Sequence, residues 1–275
     1  LLVGGRKELI FMTLPAIFLI VTLIFVVALV WLHHARALSG RLPERRSLPA
    51  LDMLRSALAR SAETGRPVHL SPGASTIGAG EGQRASTAEL LAGLSMIGQA
   101  ASQAAAGGAA IEVSSADAVA HLALRGVVRQ AYQTLGQSQS FDPRQIELWA
   151  HADAMAYATA VAAHYRQAQL EASVLSGAFG QEVLLAAETG AQRAIPQVLG
   201  STHPSALGLM IITTPHVLAG EELYAAEAHL TTAPAPQARL LTHDTLRTIV
   251  IWLMLIAFGY GLIRVAFGWP ALPGW

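Results

Sequence analysis

The chain has 275 residues, no cysteine and a formal net charge of zero, from eighteen basic and eighteen acidic residues. Without cysteine, disulfides and thiolate metal sites are excluded. Residues 47–245 hold sixteen acids against ten arginines, a net −6 with histidines neutral, so the middle of the chain lacks the basic footprint of a nucleic-acid binder.

Residues 9–32 carry no charged side chain. A helix of about 20 apolar residues crosses a hydrocarbon core, so this run of twenty-four predicts a transmembrane helix. It is longer than the about 7–15 apolar residues of a cleaved leader, although Arg6-Lys7 and Ala35-Arg36-Ala37 resemble the flanks of one. His33-His34 closes it and reads as an interfacial cap; a pigment or metal role would call for a partner histidine in the second span, where none stands.

Residues 48–64, with Leu51, Leu54 and Leu58 at helical spacing, predict an amphipathic entry helix. A short strand at 67–71 leads into Pro72-Gly73 and a glycine-rich loop reaching Arg84. Within that loop, residues 78–83 hold two of the three glycines of a dinucleotide-binding turn. Gln83 replaces the last and no strand directly precedes it, so a dinucleotide site is not expected there. Ser86-Thr87-Ala88-Glu89 reads as a capping box, opening a helix that ends at Gly107-Gly108.

A strand at 109–114 follows, with Ser115 or Asp117 capping the next helix, which Gly136 stops. A strand at 146–150 and an alanine-rich helix from about Asp153 to Gln169 come next, then a strand at 170–176 and a helix at 181–192. Residues 207–213 read as the most apolar strand, central in the sheet, followed by Pro215 and a helix at 216–230. The alternation predicts an α/β fold, a mostly parallel sheet flanked by helices. The alanine-rich helices imply close internal packing before they imply a subunit surface. Pro234 and Pro236 stiffen an exit connection at 231–237. A second apolar run, 249–269, is interrupted by Arg264, which can snorkel while Trp269 and Trp275 sit at the interface.

The expected organisation is therefore an N-terminal transmembrane segment (1–34), a soluble α/β domain (47–240) and a C-terminal transmembrane segment (245–275). Arg6 and Lys7 precede the first span and Arg36, Arg41, Arg45 and Arg46 follow it; Arg239 and Arg247 precede the second and Arg264 lies at its end. The imbalance places the termini outside and the domain in the cytoplasm, at a cell inner membrane.

Ser176-Gly177-Ala178-Phe179-Gly180-Gln181-Glu182, Ala186-Ala187-Glu188-Thr189-Gly190-Ala191, Gln197-Val198-Leu199-Gly200 and Gly220-Glu221-Glu222-Leu223-Tyr224 carry a resemblance. So do Gly65-Arg66-Pro67-Val68-His69 and Ser71-Pro72-Gly73. Across most of residues 50–230 the chain resembles an uncharacterised bacterial family of membrane-anchored proteins. The resemblance implies a tethered α/β protein; the family has no assigned activity, so no catalytic residue transfers.

Ligands of open α/β sheets bind at the carboxyl ends of the strands. That rule selects Ser176, Gly177, Gly180, His151, Asp153, Thr213, Thr214 and His216 as candidate ligand-binding residues, with Ser71, Gly73, Ser114, Ser115 and Asp117 on the same expected edge. All these residue types also belong at caps and tight turns. Ser176 with His151 or His216 and Asp153 could form a hydrolase triad, but no G-x-S-x-G, Walker or H-E-x-x-H motif accompanies them. No catalytic residue, metal or cofactor is assigned. The expected function is a non-enzymatic structural or assembly protein, partnered by the lipid bilayer and by copies of itself or other membrane proteins. A small-molecule or nucleotide sensor is the alternative, and a membrane-bound serine hydrolase the third reading.

Overall fold

The computed structural model describes residues 4–40, 46–74, 83–150 and 153–267. In chain order the elements are α1 (Gly4–Leu38), α2 (Pro49–Thr64), β1 (Val68–Gly73), α3 (Gln83–Gly107), β2 (Ile111–Ser115) and α4 (Ala118–Thr134). There follow β3 (Ile146–Leu148), α5 (Ala154–Gln167), β4 (Ala172–Ala178), α6 (Val183–Gln192), β5 (Gln197–Ser201), α7 (Pro204–Thr213), β6 (Val217–Ala219), α8 (Glu221–Leu230) and α9 (Pro234–Phe267). The chain divides into two compact units, one made of its two ends (1–44 and 232–275) and one of residues 45–231.

In the first unit α1 and α9 pack along one another. Mean hydropathy is 2.8 over Ala16–Leu38 and 1.7 over Pro234–Leu262, so both helices are long and apolar enough to cross a membrane. A core helix buries its apolar stripe; here Phe18, Trp31, Trp252 and Phe258 all stand well exposed. His33, by contrast, is buried. Its ring nitrogens lie 3.1 Å from Thr242 Oγ1 and 3.3 Å from Thr245 Oγ1. Those hydroxyls already donate to the Ala238 and Leu241 carbonyls, so the imidazole is the donor in either contact. His33 thus clasps α1 to α9 instead of capping a free helix end. Pro234 opens α9 at a position where its missing N–H costs nothing, so the helix begins inside the stretch expected to be a stiff connection.

In the second unit six parallel strands form one sheet in the order β3-β2-β1-β4-β5-β6. The order reverses between β1 and β4, as in the doubly wound nucleotide-binding folds. Helices α2, α3, α4 and α8 cover one face through Val68, Leu70, Val113, Val174, Val198 and Leu218. Helices α5, α6 and α7 cover the other through Leu175 and Leu199. The Ala100, Ala101, Ala104 and Ala105 side of α3 lies inside the first of these cores, where small residues let the helix approach the sheet.

Three local expectations are corrected. Residues 207–213 are not a central strand but most of α7. A short apolar run has no periodicity to tell strand from buried helix; Pro204 at the first helical turn settles it, and only Ala206 and Met210, four apart, are buried. The place beside β4 belongs to β5, where a Cβ on Gly200 would come within 2.8 Å of Ser176 Oγ. The expected helix at 216–230 is β6 followed by α8, with Gly220 turning between them at φ +56°. Finally, α3 starts at Gln83, upstream of the expected capping box, which puts Glu89 inside the helix and frees its carboxylate for another role.

Candidate functional site

The eight candidate residues do not form one site. Thr213, Thr214 and His216 follow a helix, not a strand, and so sit at the amino edge of the sheet. There Thr214 Oγ1 donates to the carbonyl of Gln197, the first residue of β5, at 3.0 Å, and the His216 carbonyl accepts from Leu199 N–H. Thr213 Oγ1 donates back to the Met210 carbonyl at 2.9 Å. Ser176, Gly177, Gly180 and Asp153 do lie at the carboxyl edge, and His151 falls outside the described residues, as does the loop at 75–82 with most of its glycines.

At that edge most groups are already committed. The backbones of β1 and β4 close the switch point between them: a Cβ on Gly73 would stand 2.2 Å from the Ala178 carbonyl oxygen, and one on Gly177 2.1 Å from that of Pro72. Gly93 of α3 presses on the same point, 2.3 Å by the same measure from the Ser176 carbonyl oxygen. Ser176 is buried with Oγ 3.5 Å from Met96 Sδ, inside the core and away from Asp153 and His216. Two of the helix N-termini at this edge, those of α4 and α5, are capped by internal carboxylates, and a third carboxylate bonds the turn before α6. Asp117 accepts from Ala120 N–H at 2.8 Å, Asp153 from Ala156 N–H at 2.8 Å, and Glu182 from Gly180 N–H at 2.7 Å.

Two buried side chains there lack a hydrogen-bond partner among the described residues, the Ser115 hydroxyl at the end of β2 and the Glu89 carboxylate, and only the second is ionisable. Glu89 is fully buried, and neither carboxylate oxygen has a hydrogen-bond partner among the described residues. Its nearest opposite group is His203 Nε2 at 3.5 Å, on a side chain 45% exposed at the N-cap of α7. Burial raises the Glu89 pKa above the usual carboxylate range, the His203 imidazole and the Thr202 backbone opposing the rise. Tyr224, in the first turns of α8, is raised by burial and by the Glu89 charge, against a hydrogen bond from Thr202. A carboxyl, an imidazole and a phenol from three helices thus converge past the end of β5, and they can accept, donate or exchange a proton. Sequence reading missed them because Glu89 looked like a capping residue and β5 was not recognised as a strand.

On the α5 side of the sheet a cavity of about 450 Å³ lies over the starts of β1 and β2. His69, Glu112, Trp149 and His164 line it. Its ring groups already have partners: His164 Nε2 meets Glu112 at 2.9 Å and Trp149 Nε1 donates to Glu147 at 2.5 Å. His69 is bonded on both nitrogens, to Tyr165 at 3.0 Å and Ser114 at 2.8 Å, and stacks on Trp149. Burial, and then the neighbouring His164, push the His69 pKa down to about 3. No group of three or more metal-ligating side chains is assembled among the described residues.

A family model described as a domain of unknown function, DUF6754, matches residues 7–270. The chain belongs to this family. The match takes in both apolar helices together with the doubly wound unit, so the DUF6754 architecture spans the two. No curated protein and no solved structure matches the chain. Within DUF6754 the site must therefore be argued from this geometry, since a fold alone assigns no activity.

Proposed function

We propose that this DUF6754 protein is a membrane-anchored binding domain that takes a small polar ligand at the carboxyl edge of its sheet, beside β5. The observation that carries this reading is Glu89, a buried carboxyl without a hydrogen-bond partner among the described residues. A buried polar group left unpaired costs free energy, and a ligand hydroxyl or amine would satisfy it, with His203 and Tyr224 reading the groups beside it. Nucleotides, through the ribose hydroxyls, and amine-bearing metabolites are the ligand classes that fit. Two helices long and apolar enough to cross a bilayer hold the domain at the membrane, and the arginines flanking them favour an inner-membrane protein with its domain in the cytoplasm.

The test is calorimetry and thermal shift of the full chain against nucleotides, polyols and amines, with Glu89→Gln alongside. Wild type should be stabilised by one class and the variant should bind it about tenfold or more weakly, the worth of a hydrogen bond to a charged group. The unliganded variant should be as stable as wild type or more so, because it removes an unsatisfied charge. A panel without effect on wild type, or a Glu89→Gln variant that unfolds, would refute the reading.

An assembly role is the second reading, favoured by Ile211 and Ile212 of α7, which are 62% and 82% exposed, with Leu184 and Leu185 of the adjoining α6 also exposed. Such residues suit contact with a second copy or another membrane protein. Mass photometry in detergent should then show an oligomer that Ile211→Ser with Ile212→Ser dissociates; a monomeric wild type would end this reading.

A further inference from the structure

In the cavity over the starts of β1 and β2, the aromatic donors are spent and several acceptors are not. The Trp149 indole N–H and both nitrogens of His69 are bonded within the protein. Three carboxylates line the cavity, and each is engaged through one oxygen only. His164 Nε2 meets Oε2 of Glu112, the indole N–H donates to Oε2 of Glu147, and the Arg144 backbone N–H donates to Oδ1 of Asp142. Asp142 caps the 3₁₀ turn at 143–145 and thereby brings Gln145 to the same wall. There Gln145 Oε1 is buried without a hydrogen-bond partner among the described residues. Against the three carboxylates stands one guanidinium, that of Arg144. His69 adds no charge near pH 7, because its pKa is about 3. The Trp149 indole lies within 8° of parallel to the His69 ring, which fixes it as an aromatic wall.

We propose that this cavity is a binding site for a small organic cation rich in N–H donors, an alkylammonium or alkylguanidinium. Its charged head lies among Glu112, Asp142 and Glu147, one of its N–H groups donates to Gln145 Oε1, and its alkyl stem rests on Trp149. Such a ligand supplies what the lining lacks. It brings positive charge into an acidic concavity, and a donor to a buried acceptor whose unpaired state costs free energy. The indole face adds a cation–π attraction. A neutral sugar can donate to the same oxygens but leaves the acidic charge uncompensated, and an anion meets three carboxylates. The volume, about 450 Å³, lies within the roughly 300–1,000 Å³ of small-molecule sites.

This site stands over the amino ends of the strands and is independent of any ligand at Glu89. Its test is isothermal titration calorimetry of the full chain in detergent against agmatine, tetramethylammonium and glucose. Agmatine, which carries an ammonium and a guanidinium, should bind. Tetramethylammonium, a cation without N–H, should bind about tenfold or more weakly, as one charge-assisted hydrogen bond implies. Glucose should give no heat. Glu112→Gln should weaken agmatine binding about tenfold, since it removes one of the carboxylate charges. Gln145→Met should weaken it too, while the free variant melts at or above the wild-type temperature, because an unsatisfied acceptor is gone. Glu89→Gln should leave agmatine binding intact. No agmatine binding, tetramethylammonium binding equal to it, or glucose binding equal to it would overturn the proposal, and none of these outcomes needs a variant to fold. Agmatine binding that Glu89→Gln removes and Glu112→Gln spares would also overturn it, by placing the amine at the carboxyl edge.

Discussion

Along β1 the side chains of Val68 and Leu70 enter the core beneath α3, whereas those of His69 and Ser71, one residue on in each case, enter the layer beneath α5. The first face is sealed by aliphatic side chains from neighbouring strands. The second carries a continuous set of hydrogen bonds. His69 joins Tyr165 and Ser114, Ser114 joins Tyr157 at 2.6 Å, Tyr157 joins Ser71 at 2.5 Å, and Tyr165 joins Ser173. Both faces are fully buried. Alternation of apolar and polar residues therefore does not mark a solvated face here, because two tyrosines of α5 bring their hydroxyls down onto the strand. One face depends on volume and the other on the completeness of its partners.

Acid should expose that difference most strongly. His69 titrates at about 3 in the folded chain, from an ordinary value of 6.5, because its burial penalises the charged form. The unfolded chain takes up that proton first, so stability is whole above pH 6.5 and is lost progressively as the pH falls toward 3. Each tenfold difference in proton affinity between the two states is worth about 1.4 kcal/mol, so the loss approaches about 5 kcal/mol at its limit. Denaturant titrations at stepped pH should show this slope in wild type and its flattening in His69→Gln; an unchanged slope in the variant would assign acid sensitivity elsewhere. Next in size, Leu70→Ala on the opposite face should cost about 3 kcal/mol at every pH, a cavity effect without titration. Smallest, Tyr157→Phe should cost about 2 kcal/mol by leaving Ser71 and Ser114 without their shared partner. A Tyr157→Phe loss as large as that of Leu70→Ala would mean that the polar layer is as cooperative as the apolar one.

The candidate site was legible only in part. Asp117 and Asp153 could be read as helix caps because a cap is a local matter, decided by a side chain and the amide three residues ahead. Thr213, Thr214 and His216 were placed on the wrong edge, since the apolar run before them carries no period and so no sign of its direction. Glu89 looked like the end of a capping box; its meeting with His203, more than a hundred residues on, depends on β5 lying beside β4.

Taken alone, the amino-acid sequence determined the features that depend on near neighbours. These are two helices apolar enough for lipid, the strand–helix alternation and its parallel sheet, and the caps that start α4 and α5. Tertiary structure alone decided the strand order, the burial of a polar face under tyrosines, and the isolation of one carboxylate at the carboxyl edge. The physical reason is range: helical and strand periods act over a few residues, while strand neighbours and buried partners are chosen across the whole chain by which surfaces can be covered together.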